Sequence, residues 1–200
     1  VVAGPFPGET LELLRAAGAR FVRGNGDREV VDAGGTGAAR WCAERLTDAQ
    51  RTAIRSWPGT VTLDVAGIGS VLFCHGSPRG DEDILTEATP EPELATLLAG
   101  VEASLVVCGH THHQFDRDAG GTRLVNAGSV GLPYEGRRGA YWALLGPGVE
   151  LRRTEYDVEA ALAALRATGY PDAEGLFGPS LAEPMPKASA VASFESRRGP

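Results

Sequence analysis

The chain has 200 residues, enough for one domain with a sizeable core, and its 42% hydrophobic and 22% charged content is that of a globular protein. With 19 Lys and Arg against 26 Asp and Glu, the net charge of −7 excludes bulk binding to nucleic-acid backbones or anionic membranes. It leaves room for a small phosphorylated substrate held through cations.

The opening Val1 to Gly8 reads as a loop, followed by a helix from Thr10 to Ala17 whose stripe is Leu11, Leu13, Leu14 and Ala17. Phe21-Val22-Arg23 reads as a short strand broken by Gly24-Asn25-Gly26-Asp27, and residues 32 to 37 as a Gly-rich loop. Two helices are predicted over 38–46 and 47–56, the second capped by Thr47. Val61, Leu63 and Val65 alternate as a half-buried strand, and Val71 to Cys74 and Ser104 to Cys108 are short buried runs. A helix is expected over 92–98, a strand over 123–125, a hairpin from 139–145 to 149–153, and a closing helix over 158–167. From Tyr170 onward Pro, Gly, Ser and Ala dominate without periodicity, so residues 170–200 read as an extended or partly disordered tail behind a domain of residues 1–169. Cys42, Cys74 and Cys108 do not form a disulfide framework. Together with the lack of any membrane-length apolar run, they point to a reducing, cytoplasmic setting.

Three segments share one grammar: a short apolar run ends, a glycine follows, and a metal-competent side chain stands at the exit. They are Val22-Arg23-Gly24-Asn25, Phe73-Cys74-His75-Gly76 and Val107-Cys108-Gly109-His110-Thr111-His112. Ligands of α/β sheets collect beyond the carboxyl ends of strands, so such exits can converge. Imidazole suits zinc, manganese, iron or nickel, and an Asn oxygen suits a mixed N/O site. Extended backbone would put His110 and His112 on one side, whereas a bent loop would let them approach two different ions. His113 reads as a bystander or a substrate-facing neighbour. Arg28 reads as pairing with a nearby acid, and Asp81-Glu82-Asp83 as a solvated acidic loop.

Taken together, the ordered motifs resemble the calcineurin-like metallophosphoesterase superfamily, within it the small bacterial and archaeal phosphodiesterase branch. Gly24-Asn25-Gly26-Asp27 is similar to its Gly-Asn-His-Asp/Glu motif, His75-Gly76-Ser77-Pro78 to its isolated His motif, and Gly109-His110-Thr111-His112 to its Gly-His-x-His. Asn126-Ala127-Gly128-Ser129 resembles the Asn-Pro-Gly-Ser loop that follows, and the likeness runs from about Val1 to about Tyr156.

The resemblance implies an α/β fold, a four-layer sandwich of two mixed sheets flanked by helices. It implies two divalent metal ions, manganese first among manganese, iron, zinc, nickel and magnesium, and a metal-held water that attacks phosphorus. Asn25, His75 and His110 would bind one ion and His112 the other. Asn25, Asp27 and His75 would serve catalysis, and Arg138 and His113 would meet the substrate.

Two departures stand out. The family's opening Asp-x-His and later Gly-Asp are not found in the chain as written, so an N-terminally incomplete sandwich holding one ion is expected, with exposed sheet edges that favour homo-oligomers. Gly26 stands where relatives carry a His that protonates the leaving oxygen, which implies a preference for phosphodiesters or activated monoesters. The alternative implied function is a catalytically impaired binding or scaffold protein.

Overall fold

The computed structural model describes residues 1–32 and 37–198. Most of the expected Gly-rich loop, residues 33–36, lies outside them. Four helices come first: α1 (Pro7–Ala16), α2 (Asn25–Val31), α3 (Gly37–Glu44) and α4 (Asp48–Arg55). Strands β1 (Thr60–Val65) and β2 (Gly69–Cys74), helix α5 (Glu91–Leu97), and strands β3 (Leu105–Cys108), β4 (Gln114–Ala119) and β5 (Thr122–Ala127) follow. The hairpin β6 (Ala140–Leu145) and β7 (Val149–Thr154) then leads into α6 (Val158–Ala167), α7 (Gly178–Ala182) and α8 (Lys187–Arg197).

The strands order as β1-β2-β3-β5-β4 in one mixed sheet, with β6-β7 as a separate two-stranded sheet. The pairs β2–β3 and β3–β5 are parallel, while β1–β2 and β4–β5 are antiparallel. The central strands are buried on both faces, as parallel strands require. On one face Cys74, Val106 and Leu124 join Leu94 and Leu98 from the α5 side, together with Leu85 and Phe115. On the other, Val71, Leu105, Val107 and Val125 pack with Leu145 and Val149 of the hairpin. A third core gathers the helices, with Leu11, Val30, Val31, Cys42 and Ile54 against Leu162, Leu165 and Tyr170. The fold is thus mixed α/β. Among the described residues its second sheet is a hairpin, smaller than the second sheet of the expected four-layer sandwich.

Several expectations are corrected. Phe21-Val22-Arg23 is not a strand: its recorded tie is the Arg23 N–H donating to the Pro58 carbonyl (2.9 Å), with Phe21 stacked on Trp57. Asn25-Gly26 opens a helix instead of a turn, because the Asp27 carboxylate accepts from the Gly24 N–H (3.1 Å) and closes the first turn. Strand β4 is an addition. Its sequence carries only Phe115 and Ala119 inward, but it zips antiparallel onto β5 across the Gly120-Gly121 turn. The tail is not extended, since α7 and α8 occupy it and Ala190 and Phe194 are buried. Thr47 caps α4 as expected, accepting from the Gln50 N–H (3.2 Å).

All three cysteines are unpaired and buried. Burial pushes the Cys74 thiol up to about 12 and the Cys108 thiol well above its ordinary value, so these are inert packing groups. No helix among the described residues is long and apolar enough to cross a membrane.

Candidate active site

Because β2 and β3 are parallel neighbours, their carboxyl ends open side by side, with His75 directly after one and Gly109-His110 directly after the other. The Gly109 N–H donates to the His75 carbonyl (2.8 Å), which sews the two exits together. Asn25, the first residue of α2, completes the group. The His75 Nε2 and Asn25 Oδ1 atoms stand 2.9 Å apart. The His75 and His110 rings meet edge to face at 5.2 Å.

The glycines explain how these groups come so close. A Cβ on Gly24 would fall 2.7 Å from His75 Nδ1 and 2.8 Å from its Cγ, so the imidazole rests directly on the Gly24 backbone. That contact turns Nε2 toward Asn25. A Cβ on Gly76 would meet the Gly80 carbonyl at 2.6 Å and the Asp83 carbonyl at 2.7 Å, which makes Gly76 a packing requirement of the loop after His75. Arg28 of the Asn25 helix donates to Asp81 (2.8 Å) and Glu82 (2.7 Å) and clamps that loop to α2. Hydrogen bonding from Arg28 holds the Asp81 carboxyl below its usual range, while the two acids raise the guanidinium.

The histidine loop is bent. His110 and His112 adopt φ of 63° and 58°, a left-handed conformation that costs a non-glycine residue about 1–3 kcal/mol and clusters at functional sites. The two imidazoles therefore do not share the single face an extended backbone would give them. The bend is held by Asn126 and Thr111, both fully buried. The Asn126 side-chain amide donates to the Gly109 carbonyl (2.6 Å) and to Thr111 Oγ1 (3.0 Å), and its oxygen accepts from the Gly128 N–H (2.8 Å). Thr111 Oγ1 in turn donates to the Leu85 carbonyl (3.0 Å).

Asn126 is thus a positioning residue for His110, a role that its place in the Asn-Ala-Gly-Ser run hinted at but did not define. An Asn126→Leu variant is expected to lose about 2–3 kcal/mol, since it strips buried backbone groups of their partner. Thermal unfolding checks the stability, and His110 Cε1–H NMR line shape checks the order of the loop.

Burial lowers the pKa of all four histidines, that of His75 to about 4 and that of His112 to about 4, each of these two reinforced by charge from neighbouring imidazoles. All four are neutral at pH 7, the form that can ligate a cation. Among the described residues, His112 Nδ1 is buried with no hydrogen-bond partner.

Two ligands about 2.1 Å from one ion at right angles stand about 3 Å apart, which the His75–Asn25 separation matches. The donors thus fit part of a mixed N/O metal centre of His75, Asn25 and His110, with His112 Nδ1 buried nearby. Among the described residues no three His, Cys, Asp or Glu side chains form a ready cage.

The remaining expected site residues sit differently. Asp27 is 4% exposed and accepts from the Val2 N–H (3.0 Å) and the Gly24 N–H, so it reaches His75 through Gly24. His113 is fully buried, its Nδ1–H donating to the Thr111 carbonyl (2.9 Å). Arg138 lies in a cleft of about 480 Å³ beside the hairpin, donating to the Ala182 carbonyl (2.7 Å) and to Glu159 (3.1 Å). Its recorded partners do not include the histidines.

A profile of the calcineurin-like phosphoesterase superfamily domain matches residues 1–145. No curated protein matches the sequence. Among solved structures, a hypothetical protein, PH1004, from Pyrococcus horikoshii OT3 superposes with a TM-score of 0.78 at 18% identity, over 93% of this chain and 82% of its own. A metallophosphoesterase from Sphaerobacter thermophilus superposes with a TM-score of 0.72 at 25% identity, over 92% of this chain and 84% of its own.

Proposed function

Since the chain belongs to the calcineurin-like phosphoesterase superfamily, we propose that it is a metal-dependent phosphoesterase that hydrolyses phosphodiesters, or activated phosphomonoesters, of a small substrate. The observation that carries this reading is the convergence of His75 and His110, at adjacent strand exits, with Asn25 at the start of α2, two donor atoms standing 2.9 Å apart. A divalent cation there, manganese by preference, would supply Lewis-acid neutralisation of phosphoryl charge and a more acidic water. His75, Asn25 and His110 would hold it, and His112 would face a second ion.

The chain's own residues set the rest of the chemistry. Gly24 and Asp27 fix the His75 ring, and Asn126 and Thr111 fix the bent loop under His110. At position 26 there is no imidazole to protonate a leaving oxygen, and a Cβ placed there would meet the Ala3 Cβ at 3.0 Å. Leaving groups that depart without protonation should therefore turn over fastest. With manganese present, bis(p-nitrophenyl) phosphate is expected to be hydrolysed faster than a simple alkyl phosphate such as glycerol phosphate. Faster release of phosphate from the alkyl monoester would sink this assignment.

A second reading, a binding or scaffold protein with impaired catalysis, draws on the lack of a three-group His, Cys, Asp or Glu cage among the described residues. It predicts neither saturable manganese uptake nor diester turnover, so the same assay separates the two.

A further inference from the structure

The C-terminal segment brings a side chain to the histidine loop that the Pro-, Ser- and Ala-rich sequence did not advertise. Helix α8 buries Ala190 and Phe194, and Phe194 is 7% exposed. Its ring lies 6.2 Å from that of His110, 6.3 Å from that of His113 and 6.3 Å from that of Tyr134. Tyr134 leans on His112 at 5.2 Å, and its N–H donates to the His112 carbonyl (2.9 Å). Phe194 and Tyr134 together form an aromatic wall along the histidine loop.

The helix is fastened at both ends. Lys187 donates to the Gln114 carbonyl (2.7 Å) and pairs with Glu87, while Arg198 pairs with Glu93 (2.7 Å). The Arg197 guanidinium covers the ring of Phe194 at 4.3 Å. Phe194 lies outside residues 1–145, the part matched by the superfamily profile, whereas Tyr134 lies within it.

We propose that Phe194 is a specificity-determining residue that limits the size of the ester group able to approach His110. The proposal rests on the phosphoesterase reading above. A phosphodiester presents two substituents: one departs, and the other must be accommodated while the phosphoryl group sits at the histidines. On the His110 side that volume is filled by an anchored aromatic ring. Diesters whose retained substituent is compact should therefore be favoured over those carrying a nucleoside-sized group.

Two measurements test this. In the metal-free protein, carbethoxylation by diethyl pyrocarbonate is followed residue by residue by mass spectrometry. Phe194→Ala should speed labelling of His110 and His113 relative to His75, and Phe194→Tyr, which keeps the bulk, should not. With manganese bound, methyl p-nitrophenyl phosphate is compared with the p-nitrophenyl ester of thymidine 5′-phosphate, which shares its leaving group. Phe194→Ala should raise kcat/KM for the thymidine ester over the methyl ester by about tenfold, the scale of discrimination a pocket wall provides. Phe194→Tyr should keep the original ratio, and Phe194→Leu, which preserves an apolar core contact should alanine fail to fold, should fall between.

Labelling of His110 that does not change on loss of the ring overturns the proposal. Faster labelling with an unchanged substrate ratio overturns it too, while the phosphoesterase reading stands. If no variant hydrolyses either ester, the phosphoesterase reading fails and takes the specificity role with it.

Discussion

A Gly24→Ala variant is expected to fold and yet to lose most of its hold on a divalent cation, with the affinity for manganese falling about 10–100-fold, the range typical when an outer-shell support is removed. Gly24 has φ −99° and ψ 171°, an extended backbone that alanine adopts without strain. Its nearest neighbour is the His75 ring, at 2.7–2.8 Å from the added carbon against an ordinary contact of about 3.5 Å or more. The ring must yield, and it carries Nε2 away from Asn25 as it does so. No proposed ligand is altered, so the variant separates the position of His75 from its chemistry. Isothermal titration with manganese reads the effect, and a thermal melt confirms the fold. Unchanged affinity would mean that the placement of His75 against Asn25 is immaterial to metal binding.

The second large effect is a dependence of stability on pH in the metal-free protein. An unfolded histidine titrates near 6.5, whereas burial holds His75 and His112 at about 4 and lowers His110 and His113. Between those values the unfolded chain binds more protons than the folded one, so stability falls as the pH drops. The contribution is fully present above about 6.5 and is lost through the window down to about 4. Urea unfolding at pH 7.5, 6 and 5 should show a loss on the order of a few kcal/mol, smaller in a His112→Asn variant. A flat profile would place these imidazoles in water, contrary to their burial.

Much of the site was legible in the sequence because it depends on local order. A short apolar run, a glycine and a donor residue are adjacent along the chain, and parallel pairing of β2 with β3 brings two such exits together. The helices 47–56 and 158–167 were equally readable, from a capping Thr47 and from apolar periodicity.

The rest depended on partners far away in the chain. Asn25-Gly26 has turn chemistry and became a helix because Asp27 closes on Gly24 while Val30 and Val31 find a core. Strand β4 carries charges such as Asp116 and Arg117 and exists because β5 supplies its ladder. Asn126 could be matched to a motif, but its bonds to Gly109 and Thr111 arise only once β5 lies beside β3. Phe194 left one faint signal, the Ala190–Phe194 spacing of a helix face, and its burial is decided by the loop it covers.

A manganese titration of the chain beside its His110→Ala variant tests whether the paired strand exits build a cation site. The parent is expected to bind saturably and the variant at least about 100-fold more weakly, beyond what loss of an outer-shell group brings, with the fold retained. Equal affinity in the two proteins, or no saturable binding in the parent, would contradict it.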